Sequence, residues 1–310
     1  MNRREVFAAA GAAAVALAVT PQAANADGHG KTGYLLVHGS WHGVWCWDGI
    51  ASRIQNAGQL ALGIDLPGSG LNAVSPPSYF KRPLDDAAFA TEPSQFAKIP
   101  SDAFADSVLE GVARLRGMGA DKIVAVGHSM GGMPISLAAA KEPSAINGLV
   151  FLTALTPVPG KPSGAFLALP DQAKNSLLGA IVKADPAKVG GFRIDTGSGD
   201  EKYRAAGKAA LAADVPDDVW NTAVNMMSPD APVAFYGDMV EFPAEYAAIK
   251  RTFIRCGKDM TLLPSTQDAI VAALNEAWPD NPCKVIEMDA SHEAMFADPD
   301  GVAKAILSAG

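Results

Sequence analysis

The residues best suited to do chemistry are Gly127-His128-Ser129-Met130-Gly131. They follow a short apolar, β-branched run, 122–126, and lead into an Ala-rich stretch, 130–141. A serine flanked by small residues at a strand-to-helix junction sits on a tight, strained turn that presents its hydroxyl. That hydroxyl is a weak nucleophile at neutral pH, so a histidine must accept its proton and a carboxylate must hold the histidine in the right tautomer. When the serine occupies such a turn, the acid and then the histidine follow it in the chain. Of the five histidines, His29, His38, His42 and His128 all precede Ser129, which leaves His292. Asp259 directly follows the late apolar run 251–256 and is the expected carboxylate. Asp238 and Glu241 compete for that role, whereas Asp289 is too close to His292 in sequence to orient it easily.

A second motif, His38-Gly39-Ser40-Trp41-His42-Gly43, follows the first apolar run of the main chain. Acyl transfer puts negative charge on a former carbonyl oxygen, which backbone N–H groups fixed in advance can stabilise. The N–H of Met130, next to the serine, and that of Ser40 are the natural pair. A zinc site on His38 and His42 is the rival reading, but a Gly-Ser-Trp turn is poor helix and no third ligand is in view.

These residues need a scaffold that brings distant loops to one edge. Runs at 34–37, 60–64, 122–126, 148–152, 251–256 and 283–288 read as strands, and stretches at 47–57, 102–116, 130–141, 265–277 and 299–308 read as helices. The alternation predicts an α/β fold: about six strands, mostly parallel, with helices on both faces. Two stretches break the rhythm. Residues 66–100 have several prolines and no clear period, and are expected to form a surface loop near the strand ends. Residues 156–233, opened and closed by prolines, contain helix-like patches at 172–182 and 201–213 and are expected to form an inserted helical cap.

Together, residues 36–43 with Trp45-Cys46-Trp47, the Ser129 turn with Gly132, Cys256-Gly257-Lys258-Asp259, and Ser291-His292 with Ala294-Met295 resemble the α/β-hydrolase superfamily. The branch resembled holds plant methylesterases, hydroxynitrile lyases and bacterial esterases. The resemblance implies Ser129, Asp259 and His292 as a catalytic triad, with Ser40 and Met130 as oxyanion-hole donors. It also separates two chemistries. Lyases of this branch carry a threonine where Gly39 stands and a lysine where Glu293 stands; an acidic side chain repels departing cyanide and cannot donate to it when ionised. The expectation is a serine carboxylesterase that needs no cofactor and no metal, with a lyase or C–C bond hydrolase as the alternative and a non-catalytic binding protein as the remaining class.

Composition bounds the partners. The 310 residues are 49% hydrophobic and carry a net charge of -8. Affinity for nucleic acid comes from clustered Lys and Arg, so a polyanion is not the expected partner. An apolar small-to-medium ester fits the apolar cap better, and Trp41, His128, Met133, Trp220 and Met260 are expected to line its pocket. A homodimer is compatible with the sequence. Residues 1–26 read as an export signal: Arg3-Arg4, an apolar run at 7–19, then Ala24-Asn25-Ala26 as a cleavage site. The run is shorter than the roughly 20 residues that span a membrane. The paired arginines resemble a twin-arginine signal, which predicts a periplasmic or secreted protein, residues 27–310, with no membrane insertion after cleavage. The three cysteines, Cys46, Cys256 and Cys283, are expected to form no structural disulfide.

Overall fold

The computed structural model describes residues 30–310; the segment read as an export signal lies outside the described residues. Among the described residues eight strands occur in chain order: β1 (Thr32–Val37), β2 (Leu60–Ile64), β3 (Lys122–His128), β4 (Gly148–Leu152), β5 (Phe192–Arg193), β6 (Asp230–Ala231), β7 (Lys250–Cys256) and β8 (Lys284–Met288). Six of them form one parallel sheet in the order β2-β1-β3-β4-β7-β8. The order reverses direction at β1, and the functional turns leave the carboxyl ends of β1 and β3, the position where open α/β sheets form crevices.

Side-chain alternation splits the core into two layers. Leu35, Val37, Ile123, Ala125, Leu149 and Phe151 face one cluster, while Tyr34, Leu36, Val124, Val126, Val150 and Leu152 face the other. Helices Ser101–Gly117, Gly132–Lys141 and Pro264–Ala277 pack on the first face through Val108, Ile135 and Ile270; helices Asp48–Asn56 and Pro299–Leu307 pack on the second through Ile50 and Ile306. Burial on both faces explains why β3 and β4 read as unbroken apolar runs. All six expected sheet strands are present, each within two residues of its expected ends. Cys46, Cys256 and Cys283 are free and buried, and the β7–β8 register sets Cys256 beside Met288, at the far end of the strand from Cys283.

The irregular stretches hold more structure than the sequence pattern carries. Residues 66–100 include a short helix, Asp86–Thr91, and bury Phe89 and Phe96. The segment between β4 and β7 includes helices Glu201–Leu211 and Asp217–Met226, but also the antiparallel pair β5–β6, which the expectation of a helical cap did not include. Strands of two residues have no period to read. The pair is held instead by Arg193, fully buried, whose guanidinium grips Asp230 through two contacts of 2.7 Å. The third nitrogen, Nη1, donates to the carbonyls of Phe89 and Glu92. The expected helix at 172–182 is broken at Ser176, which turns from helix Pro170–Asn175 to bond the Thr261 carbonyl at 2.8 Å. Among the described residues, no helix is long and apolar enough to cross a membrane.

Candidate active site

Ser129 follows β3 directly and has φ of 52°. A non-glycine residue in this left-handed region stores strain that its surroundings must hold. The surroundings here are backbone. A Cβ on Gly127 would stand 2.5 Å from the Gly131 carbonyl oxygen, and a Cβ on Gly131 would stand 2.6 Å from the carbonyl oxygens of both Val37 and His38. Only glycine lets the turn close on itself and press against the end of β1. The Ser129 carbonyl accepts the Leu155 N–H at 3.0 Å, tying the turn to the chain beyond β4.

Asp259 lies in the turn after β7 and is fully buried. Its Oδ1 accepts the N–H groups of Thr261 and Leu262 at 2.7 and 2.9 Å, and its Oδ2 accepts the Thr153 hydroxyl at 2.5 Å. The same Oδ2 stands 2.6 Å from His292 Nδ1. That contact puts the neutral ring's proton on Nδ1 and leaves Nε2 free to act as a base. Burial opposes the charged ring of His292, but the Asp259 charge and hydrogen bond, with Glu293 adding to them, raise its pKa above the ordinary value. The competing acids lie elsewhere: Asp238 and Glu241 border a surface hollow beside Ser101 and Lys141, and Asp289 pairs with Lys258 at 2.8 Å.

Beside this turn, His38 braces the turn after β1. Its Nδ1–H donates to the Gly39 carbonyl at 2.8 Å, and its Nε2 accepts the Leu66 N–H at 3.1 Å. Burial pushes its pKa down to about 4. With both nitrogens committed to backbone, His38 is a neutral strut rather than a metal ligand. His42 donates from Nδ1 to the Ser40 carbonyl at 2.7 Å and brings Nε2 to 3.3 Å from Glu293 Oε2. The latter is an ion-pair distance without hydrogen-bond geometry, and among the described residues neither Glu293 oxygen has a hydrogen-bond donor. Burial works to raise the Glu293 pKa, yet His42, His128 and His292 pull it down to about 2, so Glu293 is an anion. Trp41, with φ of 65°, anchors the same turn to the cap: its indole N–H donates to the Phe192 carbonyl at 2.8 Å.

Ser129 and His292 open into one cleft, about 30 Å³, whose walls include Ser40, Trp41, His128, Leu155, Leu211 and Glu293. Met130, the other expected oxyanion donor, is buried behind the serine. His128 donates from Nε2 to the His292 carbonyl at 3.0 Å and is kept neutral by burial, its pKa pushed down to about 3. Three expected wall residues are elsewhere. Met133 points into the sheet core, because the helix from Gly132 turns that position inward. Trp220 packs in a separate cavity within the cap. Met260 meets the cap through its carbonyl, which accepts the Leu177 N–H at 2.8 Å; the neighbouring Thr261 and Leu262 line the cleft instead. Sequence reasoning missed Thr153, whose only signal was its position one residue beyond the end of β4.

Residues 34–305 match the alpha/beta hydrolase family, and the chain belongs to it. Within the family it is similar to plant methylesterases. It is 25% identical over 286 residues to Methylesterase 18 of Arabidopsis thaliana, covering 89% of this chain and 96% of that one. It is 26% identical over 275 residues to the pheophorbidase of Raphanus sativus, covering 86% and 89%. Among solved structures, polyneuridine aldehyde esterase shares the fold with a TM-score of 0.67 at 20% identity, covering 90% of this chain and 98% of that one. These relatives support an esterase activity.

Proposed function

We propose that the protein is a serine carboxylesterase that forms an acyl-enzyme on Ser129. The carrying observation is a histidine aligned by a buried carboxylate, opening with the strained serine into one apolar-walled cleft. His292 Nε2 takes the Ser129 proton as Oγ attacks the ester carbonyl; the Ser40 and Met130 N–H groups receive the developing oxyanion. His292 then protonates the departing alcohol and activates a water that releases the acid. Leu155, Leu167, Leu178 and Phe192 on the walls favour an apolar ester, and the methylesterase relatives make a small leaving alcohol the first to try.

Two observations favour hydrolysis over cyanohydrin cleavage. A Cβ at Gly39 would stand 2.8 Å from His128 Nδ1 and 3.0 Å from Ser129 Cβ, so a threonine side chain has no room there. The anionic Glu293, where lyases of the branch carry a lysine, repels cyanide. The decisive test is Ser129→Ala assayed on p-nitrophenyl butyrate, where a loss of about 10⁴-fold or more in kcat is expected. Retention of most activity overturns the proposal, as does the absence of a Ser129 adduct by mass spectrometry after treatment with a serine-directed organophosphonate. Export by residues 1–26 belongs to the same proposal: replacing Arg3 and Arg4 together by lysine is expected to leave unprocessed protein in the cytoplasm of a bacterial host with twin-arginine transport.

A further inference from the structure

A second cavity, about 40 Å³, lies inside the cap. Its walls include Ile181, Ile194, Gly207, Leu211 and Trp220. The same three segments build this chamber and the catalytic cleft. The 3₁₀ turn that gives Leu178 to the cleft continues to Ile181, the strand that gives Phe192 continues to Ile194, and Leu211 belongs to both walls. Residues three apart on a 3₁₀ turn eclipse one another, and residues two apart on a strand share a face. The two spaces therefore adjoin, and Leu211 lines both.

Gly207 supplies an independent observation. It sits within helix Glu201–Leu211, where glycine is the poorest residue after proline. No close approach requires it: a Cβ there would meet nothing nearer than Trp220 Cζ2 at 3.8 Å and Ile181 Cγ2 at 4.0 Å. The missing side chain leaves space in the chamber. Tyr203 presents only its ring, because its hydroxyl donates to the Ile181 carbonyl at 2.6 Å and accepts the Asp195 N–H at 2.9 Å. The polar part of the lining is Asp195, Thr196, Arg204 and Asn221, and Arg204 donates to Asn221 at 2.6 Å.

We infer that the chamber is the distal subsite for the linear alkyl chain of the ester, reached past Leu211, and that Leu211 sets the chain length the enzyme accepts. This rests on the esterase reading above. A short chain ends against Leu211; a longer one displaces that side chain and runs between Ile181, Ile194 and Trp220. Each methylene moved from water to an apolar wall in the transition state is worth about fourfold in kcat/KM.

The test compares p-nitrophenyl esters from acetate to dodecanoate on the full chain, read as the ratio of kcat/KM for dodecanoate to that for butyrate. Leu211→Ala is expected to raise the ratio at least tenfold, and Gly207→Leu, which fills the chamber from its helix wall, to lower it at least tenfold. An unchanged ratio in both variants overturns the inference while leaving the esterase reading intact. If Leu211→Ala fails to fold, Gly207→Leu alone decides. If the wild-type protein hydrolyses none of the esters, the esterase reading fails and calorimetric titration with dodecanoate decides for the chamber. Binding weakened at least tenfold by Gly207→Leu then supports it; equal binding, or none to the wild type, overturns it.

Discussion

The turn after β3 and the turn after β1 pack directly against one another, but they are shaped by different means. Around Ser129, backbone presses on backbone, and the geometry depends on Gly127 and Gly131 having no side chain to interpose. Around Ser40, side chains reach back to backbone, and the geometry depends on His38 and His42 holding the Gly39 and Ser40 carbonyls. The first kind of support acts at all pH values. The second includes protonation chemistry, because His38 Nε2 can accept the Leu66 N–H only while its ring is neutral.

Breaking the backbone support should give the largest effect. Gly131→Ala forces the elbow away from the Val37 and His38 carbonyls, and a displacement near 1 Å is expected to cost about 10²-fold or more in kcat, measured on p-nitrophenyl butyrate. Breaking the side-chain support comes next. His38→Ala leaves the Leu66 N–H and the Gly39 carbonyl without their partner, so chemical denaturation should show a loss of about 2–4 kcal/mol, accompanied by a fall in kcat greater than any rise in KM.

The pH dependence sharpens the comparison. His38 has a folded pKa of about 4 against an ordinary 6.5, so the unfolded chain binds the proton first on acidification. Its contribution to stability is complete above pH 6.5 and is lost as the pH falls toward 4. Between pH 7 and 5 this amounts to about 2 kcal/mol, and His38→Asn should show a stability profile flatter by that amount. The smallest effect concerns His292, whose raised pKa places the acidic limb of kcat/KM above pH 6.5. Glu293→Gln removes one of the charges that raise it, so the limb should move to lower pH. A limb that moves upward would contradict the anionic state of Glu293.

The same contrast explains what could be read from the sequence. The elbow was legible because its requirement is local: small residues around a serine, between a strand and a helix. Asp259 is legible from its place directly after a late strand, and His292 as the one histidine of five that follows Ser129. The six-stranded frame was legible because burial on both faces leaves unbroken apolar runs. The bracing role of His38 was not, since its Nε2 partner, the Leu66 N–H, lies beyond β2 and is brought near only by strand pairing. Nor were the walls of the cleft. Met133, Trp220 and Met260 have the right chemistry for a pocket, but which face each presents depends on how the insertion folds over the sheet, and no short-range period records that path.

Arg193 joins two segments that are far apart in the chain. One guanidinium holds Asp230 at one end of the cap insertion and the carbonyls of Phe89 and Glu92 in the stretch between β2 and β3. Separating them would strand a buried charge, so the energetics favour their moving as one plate. Any widening of the cleft for a bulkier substrate then has its hinges at the outer ends of these segments, near the strands, and not at the seam between them.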